Sequence, residues 1–319
     1  MQKIVPHLWF DKEAGEASEF YMKLFADSKL VDKTVLYDTP SGTAEMFTIE
    51  LAGQEFILLS AGPYFQFTPA VSFVIACNSE EETESFWERL IENGIALMPF
   101  DTYPFSKKYG WLIDRYGLSW QIMYVGDAKI NQKITPSLMF VGEQCGKAEE
   151  AAAFYTSVFE NSAIRNINRY KEEVPSNKTG SAQLNTGNAL IAGNAQLIEG
   201  NAQTIASNAL IAYTLENQEF TAMDSAYEHG FTFNEAISFL VNCDNQEEID
   251  YYWNKLSFDP EAEQCGWLKD RYGLSWQIVP TILNDMMQEK NPEKMAKVTE
   301  AFLRMKKFDI AELKKAYEH

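Results

Sequence analysis

The sequence predicts an α+β fold made by tandem duplication, in which each copy consists of two β-α-β-β-β units that form curved mixed sheets. Two observations support this prediction. A thirteen-residue motif, G-W-L-x-D-R-Y-G-L-S-W-Q-I, occurs at 110–122 and again at 266–278, with the residue at x as the one difference. In each unit, apolar residues alternate with polar ones along several short segments, which is typical of strands. One further segment has its apolar residues on one face of a helix. A repeat of this length indicates that one structural module occurs twice.

Shorter motifs repeat in the same order and define the domain boundaries. Ala-Val-Ser-Phe-Val at 70–74 returns as Ala-Ile-Ser-Phe-Leu at 236–240, and Gln-Glu-Phe at 54–56 returns at 218–220. We therefore predict a first module at 1–128, a second module at 133–280 with an insertion of about 30 residues near 180–211, and a helical tail at 281–319.

The elements of the first module follow from its hydrophobic pattern. Residues 13–25 place their apolar side chains on one stripe, which predicts a helix. Ser79 is a plausible N-cap for a second helix, and Gly94 a stop signal after it. Period-two alternation and turn residues mark the strands between them. The prediction in chain order is strand 4–10, helix 13–25, strands 30–37, 44–51 and 54–60, strand 70–77, helix 80–93 and three strands ending with 118–124.

Composition excludes several classes of protein. The chain has 319 residues, of which 27 are basic and 46 acidic, for a net charge of −19. Binding of nucleic acid or of an anionic membrane surface needs clustered Lys and Arg, so we expect neither as a partner. No apolar run approaches the roughly 20 residues that cross a bilayer, and the first residues do not form a signal peptide. The expected location is the cytoplasm, with all four cysteines reduced.

Several of these motifs together resemble a known superfamily. The Phe-Tyr pair of the first helix, Gln-Glu-Phe, and Gly-Leu-Ser-Trp-Gln-Ile at the end of each module are similar to the vicinal oxygen chelate superfamily, which includes glyoxalase I, bleomycin-resistance proteins and extradiol dioxygenases. The closest resemblance is to its PhnB-like branch, often labelled 3-demethylubiquinone-9 3-methyltransferase. The resemblance implies curved sheets that wrap a pocket, with helices on the outer face.

The resemblance also identifies where metal-binding members carry their ligands. The first-strand position falls on Val5 and Thr135, and the last-strand position falls on Gln121 and Gln277. The fifth-strand position falls on alanine in both modules, at 70 and 236. Val and Ala cannot coordinate a metal, and one Gln is a weak ligand alone. We therefore expect no metal and no other cofactor, with a divalent metal as the less favoured alternative.

Period-two alternation nominates the side chains that face each pocket. His7 is the best single candidate for acid–base chemistry, but the interpretation that we favour is a core histidine hydrogen-bonded to a neighbour. The two Gln residues would orient a ligand or satisfy buried backbone groups. The predicted pocket residues are His7, Trp9, Ser72, Ser119, Gln121, Ser137, Met139, Ser238, Ser275 and Gln277.

Other repeated residues have structural explanations. Trp120 and Trp276 should face the helices and fill the core. Asp114 and its repeat partner Asp270 should tie down a turn between two strands, in which Gly117 takes a positive φ.

The function that we predict is binding of a small organic molecule in a metal-free pocket. The alternative is a divalent-metal-dependent lyase, isomerase or dioxygenase of the glyoxalase type. Methyl transfer is disfavoured, because the sequence has no G-x-G-x-x-G turn for a nucleotide-like donor. The two modules should pair within one chain, and the insertion or the tail could mediate homo-oligomers. The stretch 187–211 suggests small strands and turns, and the tail from 284 to 317 suggests two helices.

Overall fold

The structure is a computed structural model that describes residues 2–39, 41–170, 208–288 and 291–318. Most of the predicted insertion, up to residue 207, lies outside these ranges. Its last four residues, 208–211, belong to a regular strand of the sheet.

The described residues up to 124 form two successive β-α-β-β-β units, as the sequence predicts. Their elements are β1 (Ile4–Phe10), α1 (Ala14–Leu24), β2 (Lys29–Thr39), β3 (Gly42–Leu51), β4 (Gln54–Ser60), β5 (Val71–Cys77), α2 (Glu80–Ile91), β6 (Ile95–Tyr103), β7 (Ser106–Ile113) and β8 (Ser119–Tyr124).

The second half repeats this order with one strand fewer after its second helix, and it adds helices at its end. Its elements are β9 (Ile134–Phe140), α3 (Ala148–Val158), β10 (Ala163–Tyr170), β11 (Asn208–Leu215), β12 (Gln218–Asp224), β13 (Ile237–Cys243), α4 (Gln246–Leu256), β14 (Trp267–Lys269), β15 (Ser275–Pro280), α5 (Thr281–Gln288), α6 (Pro292–Leu303) and α7 (Ile310–Glu318).

The strands form two curved mixed sheets, and each sheet combines halves of both sequence repeats. One sheet has the order β14-β15-β13-β1-β4-β3-β2, and the other has the order β10-β11-β12-β9-β5-β8-β7-β6. Accordingly, the chain divides into unit 1, Met1–Phe67 with Phe233–His319, and unit 2, Thr68–Thr232. The predicted boundaries 1–128 and 133–280 therefore describe the repeat along the sequence. Each compact unit instead combines one half of the first repeat with one half of the second. The antiparallel pairings β1–β13 and β5–β9 join the halves.

The caps of the helices follow local sequence signals. The Ser79 hydroxyl accepts a hydrogen bond from the Glu82 amide of α2 at 3.1 Å, as predicted. The left-handed residue after this helix is Asn93, with φ +60°, rather than the predicted Gly94. Gly94 serves another purpose, because a Cβ on it would lie 2.4 Å from the Ile113 carbonyl oxygen.

A buried aspartate holds each of the two repeated turns. One Asp114 oxygen accepts the amides of Tyr116 at 2.8 Å and Leu118 at 3.0 Å, and the other accepts the Trp120 indole N–H at 2.9 Å. Asp270 makes the equivalent three bonds in the second repeat. The turn glycine in the first copy has φ +89°. The predicted structural role of these aspartates and of the buried indoles is confirmed.

The fourth β-α-β-β-β unit departs from the prediction. Strand β14 has three residues, and among the described residues of unit 1 no strand takes the place that β6 has beside β7. The tail supplies that edge instead: the amides of Cys265 and Gly266 donate to the carbonyls of Met305 and Lys306 at 2.8 and 2.7 Å.

The tail itself contains three described helices and not two. The additional helix is α5, which starts at Thr281 directly after β15, at the position where the predicted helical tail 281–319 begins. The Asn291 side chain caps α6 by accepting the amides of Glu293 and Lys294, and Pro292 occupies its first turn. Asn291 and Pro292 therefore start a new helix, which makes α6 separate from α5.

Candidate functional site

A cavity of about 710 Å³ lies on the inner face of the unit 1 sheet. Alternate residues of β1 point into it, namely Val5, His7 and Trp9, and β15 contributes Ser275 and Gln277. The structure therefore brings together four of the predicted pocket residues, His7, Trp9, Ser275 and Gln277. Most of the remaining wall is apolar, with Met46, Ile57, Leu59, Leu240, Val279, Leu283, Met287, Phe302 and Phe308 among the lining residues.

The strand register places polar groups side by side across the middle of this face. His7 pairs with Ser238 on β13, and Ser238 pairs with Ser275 on β15. The Gln277 side-chain amide donates to the Ser238 hydroxyl at 2.9 Å. Ser238 is fully buried, so it fixes Gln277 and does not itself line the cavity.

His7 is a neutral imidazole inside the protein. Only 3% of the residue is exposed, and burial lowers its pKa from 6.5 to about 3. Its Nδ1 has no hydrogen-bond partner, and the ring contacts the edge of Trp267 with 5.5 Å between centroids. At this nitrogen, the structure shows none of the hydrogen bonds that the core interpretation of His7 predicts.

Asn242 is a polar residue of the cavity that the sequence analysis missed. Its Nδ2 donates to the Gln2 carbonyl at 2.7 Å, while its Oδ1 is buried without a partner. On β13, Ser238, Leu240 and Asn242 are successive residues on one face of the strand. Continuing this alternation beyond the predicted Ser238 would therefore have identified Asn242.

Aromatic rings surround Trp9 at one part of the wall. Its ring centroid lies 5.2 Å from that of Phe65, 6.2 Å from Trp267 and 6.4 Å from Tyr64. The indole N–H donates to the Gly62 carbonyl at 2.8 Å, which fixes the ring in place.

The tail helices complete the wall of the cavity. Leu283 and Met287 come from α5, Phe302 from α6, and Phe308 from the segment before α7. A Cβ on Gly266 would lie 2.5 Å from the Phe308 ring, so the glycine makes room for this aromatic side chain. The tail is thus a structural part of the site.

Among the described residues, the corresponding face of unit 2 carries buried side chains that bind one another. Tyr109 donates its hydroxyl proton to Gln121 Oε1 at 2.8 Å, and Gln121 donates to Ser72 at 2.8 Å. Trp111 donates to Ser119 at 2.7 Å. Met139 packs in one buried cluster with Met98, Tyr109, Trp111, Val141 and Met223. Ser137 is buried as well. All five predicted pocket residues of this unit therefore lie in a core, namely Ser72, Ser119, Gln121, Ser137 and Met139.

One difference between the repeats contributes to this contrast. Tyr109 precedes the repeated Gly-Trp motif in the first copy, and Cys265 precedes it in the second. The phenol fills space and satisfies Gln121, whereas the thiol is far smaller. In unit 1 the Cys265 position lines the cavity.

The residues at the metal-ligand positions do not fit a metal of the glyoxalase kind. In unit 1 these positions carry Val5, Ala236 and Gln277, and in unit 2 they carry Thr135, Ala70 and Gln121. Within the described ranges, no group of three His, Cys, Asp or Glu side chains is placed to hold a metal ion. Only the two Gln amides offer an established ligand type, and each binds a serine hydroxyl.

Comparison with known proteins decides the family. The sequence profile described as 3-demethylubiquinone-9 3-methyltransferase matches residues 2–123, 132–196 and 186–279. The chain belongs to this family. The PhnB-like resemblance seen in the sequence is thereby confirmed. None of the curated proteins matches the chain.

Some solved structures are similar to about two fifths of this chain and others to about nine tenths of it. A putative 3-demethylubiquinone-9 3-methyltransferase, PhnB protein, from Bacillus cereus is 40% identical over 39% of this chain and 100% of its own length, with a TM-score of 0.36. Glyoxalase I from Zea mays is 12% identical over 90% of this chain and 98% of its own length, with a TM-score of 0.49. A glyoxylase/bleomycin resistance protein/dioxygenase domain from Frankia sp. EAN1pec is 14% identical over 39% of this chain and 90% of its own, with a TM-score of 0.29.

The helices were also compared with the length of a bilayer. Among the described residues, none forms a helix with the length and apolar character that a membrane crossing requires.

Proposed function

We propose that unit 1 binds a small, largely apolar organic molecule without the help of a divalent metal. The observation that supports this proposal is the cavity of about 710 Å³. Pockets for cofactors and drug-sized ligands have volumes of about 300–1,000 Å³, with mainly apolar walls and a few polar groups that fix orientation. The unit 1 cavity has this composition.

The polar groups that would orient the ligand are few and already positioned. Gln277 is held by Ser238, and Asn242 is held by the Gln2 carbonyl, so each amide presents a fixed direction. His7 supplies an uncharged ring nitrogen, because the low pKa of its imidazole keeps it neutral at pH 7. A ligand loses hydrogen bonds to water when it enters the cavity. New hydrogen bonds between its polar atoms and these groups would replace them.

The two enzymatic alternatives find less support. A glyoxalase-type reaction would need a metal at positions that carry Val5 and Ala236, neither of which has a ligand atom. The family description names a methyl transfer, but the glycine-rich turn of a nucleotide-like donor site does not occur in the sequence. We therefore assign the cavity a binding role and no chemical step.

A cavity-filling substitution tests the proposal. Thr48 lies on β3 and lines the cavity, whereas Thr43 lies on the same strand, exposed and outside the cavity. The uncharged fluorescent probe N-phenyl-1-naphthylamine should bind the unmodified chain and the Thr43→Trp variant, with and without a chelator. Thr48→Trp should reduce its affinity at least about tenfold, because the indole occupies the space of the probe. No uptake by the unmodified chain, or equal uptake by both variants, would contradict the proposal.

A further inference from the structure

The charge of the cavity wall is strongly one-sided. Among the described residues that line it, four carry carboxylates, Asp32, Glu55, Glu235 and Glu261, and Lys269 alone carries an ammonium group. The Lys269 ammonium lies 2.7 Å from the Glu235 carboxylate. Three carboxylates therefore face or border the cavity without a cation on its wall.

The uncharged polar groups of the wall include acceptors for the donors of a ligand. Asn242 Oδ1 is buried with no donor to satisfy it, while its amide nitrogen already donates to backbone. A neutral imidazole always keeps one nitrogen lone pair, and His7 is neutral. A buried acceptor without a donor is unfavourable, so a ligand with N–H donors gains from meeting Asn242 Oδ1 and the lone pair of His7.

The aromatic rings provide a third feature that favours positive charge. Trp9 stands edge-on to Phe65, Trp267 and Tyr64, and all four rings line the cavity. The negative face of an aromatic ring attracts an ammonium group within about 6 Å of its centroid, and Trp does so most strongly. Apolar rings and carboxylates on one wall suit a molecule that has an apolar body and a cationic end.

We propose that the ligand of the unit 1 cavity is an organic amine, protonated at neutral pH and attached to an aromatic or other apolar body. This inference rests on the proposed function, since it names the class of molecule that the same cavity takes. Carboxylate, sulfonate and phosphate ligands are selected against, because the single ammonium group on the wall is already paired with Glu235. The net charge of −19 also steers cations toward the protein and anions away from it.

Three naphthalene compounds that differ only at one end test the inference on the full chain. The compounds are 2-(1-naphthyl)ethylamine, 2-(1-naphthyl)ethanol and 1-naphthylacetate, which are cationic, neutral and anionic at pH 7. The amine should bind at least about tenfold more tightly than the alcohol, because a hydrogen bond from an ammonium group to a carboxylate is stronger than one from a neutral hydroxyl. The carboxylate should bind most weakly, and the preference for the amine should shrink as salt is added.

A matched pair of substitutions locates the effect in the cavity. Glu55→Gln removes a carboxylate from the cavity wall, and Glu219→Gln removes one from the equivalent Gln-Glu-Phe motif of unit 2. Both variants change the net charge equally. Glu55→Gln should weaken binding of the amine about threefold and leave the alcohol unchanged, whereas Glu219→Gln should change neither.

The outcomes separate this inference from the proposed function. If the alcohol or the carboxylate binds as tightly as the amine, or if both Gln variants weaken the amine equally, the amine inference is wrong and the binding function stands. If none of the three compounds and no uncharged probe binds, the proposed function fails as well.

Discussion

At the scale of single residues, His7 shows how burial can determine the chemistry of a site. The ring is buried against the sheet and Trp267, and its Nδ1 has no hydrogen-bond partner. The lowered pKa follows from this desolvation. His7 is therefore suited to accept a hydrogen bond from a ligand and unsuited to carry a positive charge near neutral pH.

The low pKa predicts how stability changes with pH. Because the folded pKa is about 3 and the unfolded value is 6.5, the unfolded chain binds the proton first, and stability falls as pH decreases through this window. His7→Gln should remove about 1.4 kcal/mol per pH unit from that slope. Urea unfolding of both proteins at pH 6.5, 5.8 and 5.2 measures the difference, and parallel slopes would contradict the assignment.

The two repeated glutamines offer a second prediction. Gln121→Leu leaves the hydroxyls of Tyr109 and Ser72 buried without their partner, whereas Gln277→Leu does so only for Ser238. We expect Gln121→Leu to lower the free energy of unfolding by about 1–3 kcal/mol more than Gln277→Leu, since one more buried polar group loses its bond. Denaturant unfolding checks the ranking, and an equal or reversed effect would show that the two sites are packed alike.

At the scale of elements, the tail replaces a strand. Strand β6 pairs with β7 in unit 2, and in unit 1 the carbonyls of Met305 and Lys306 accept the corresponding edge amides. Phe308 then covers Gly266 and reaches the cavity. The tail thus protects the sheet edge and closes one wall of the site, two roles that its amphipathic pattern alone does not reveal.

Truncation of Phe308 should loosen this edge. The side chain is 3% exposed, so Phe308→Ala should cost about 3–5 kcal/mol. The amides of Cys265 and Gly266 should exchange with solvent faster, because they donate to the segment that Phe308 holds. Phe258→Ala, at a phenylalanine of the same unit that is 67% exposed, is the control and should change neither quantity. Unchanged exchange at Cys265 and Gly266 in Phe308→Ala would contradict the role of the tail.

The sequence predicts local features well and distant pairing poorly. Strands 4–10 and 54–60 were predicted at the bounds that the structure shows, because alternation and flanking turns are local signals. The exchange of halves between the repeats depends on pairing of β1 with β13, more than 200 residues apart, which no local pattern records. The packed face of unit 2 likewise depends on how Tyr109 and Met139 meet.

At the scale of the whole molecule, duplication has produced two units with different interiors. Unit 1 encloses a cavity with His7, Asn242 and Gln277 on its wall. Unit 2 fills the equivalent face with Tyr109, Trp111 and a methionine-rich cluster. Both keep the repeated turn and its buried aspartate, so the duplication preserved the scaffold while the inner faces diverged. Fold alone does not determine function, and here the difference between the two interiors carries the functional conclusion.

The methionines report on the two interiors separately and give the most direct test. Met46 and Met287 line the unit 1 cavity, whereas Met98, Met139 and Met223 belong to the packed cluster of unit 2. In a protein labelled at the methionine methyl groups, titration with 2-(1-naphthyl)ethylamine or the uncharged naphthyl probe should shift the resonances of Met46 and Met287 and leave the unit 2 cluster unchanged. Shifts confined to Met98, Met139 and Met223, or no shift with either compound, would contradict a ligand site in unit 1.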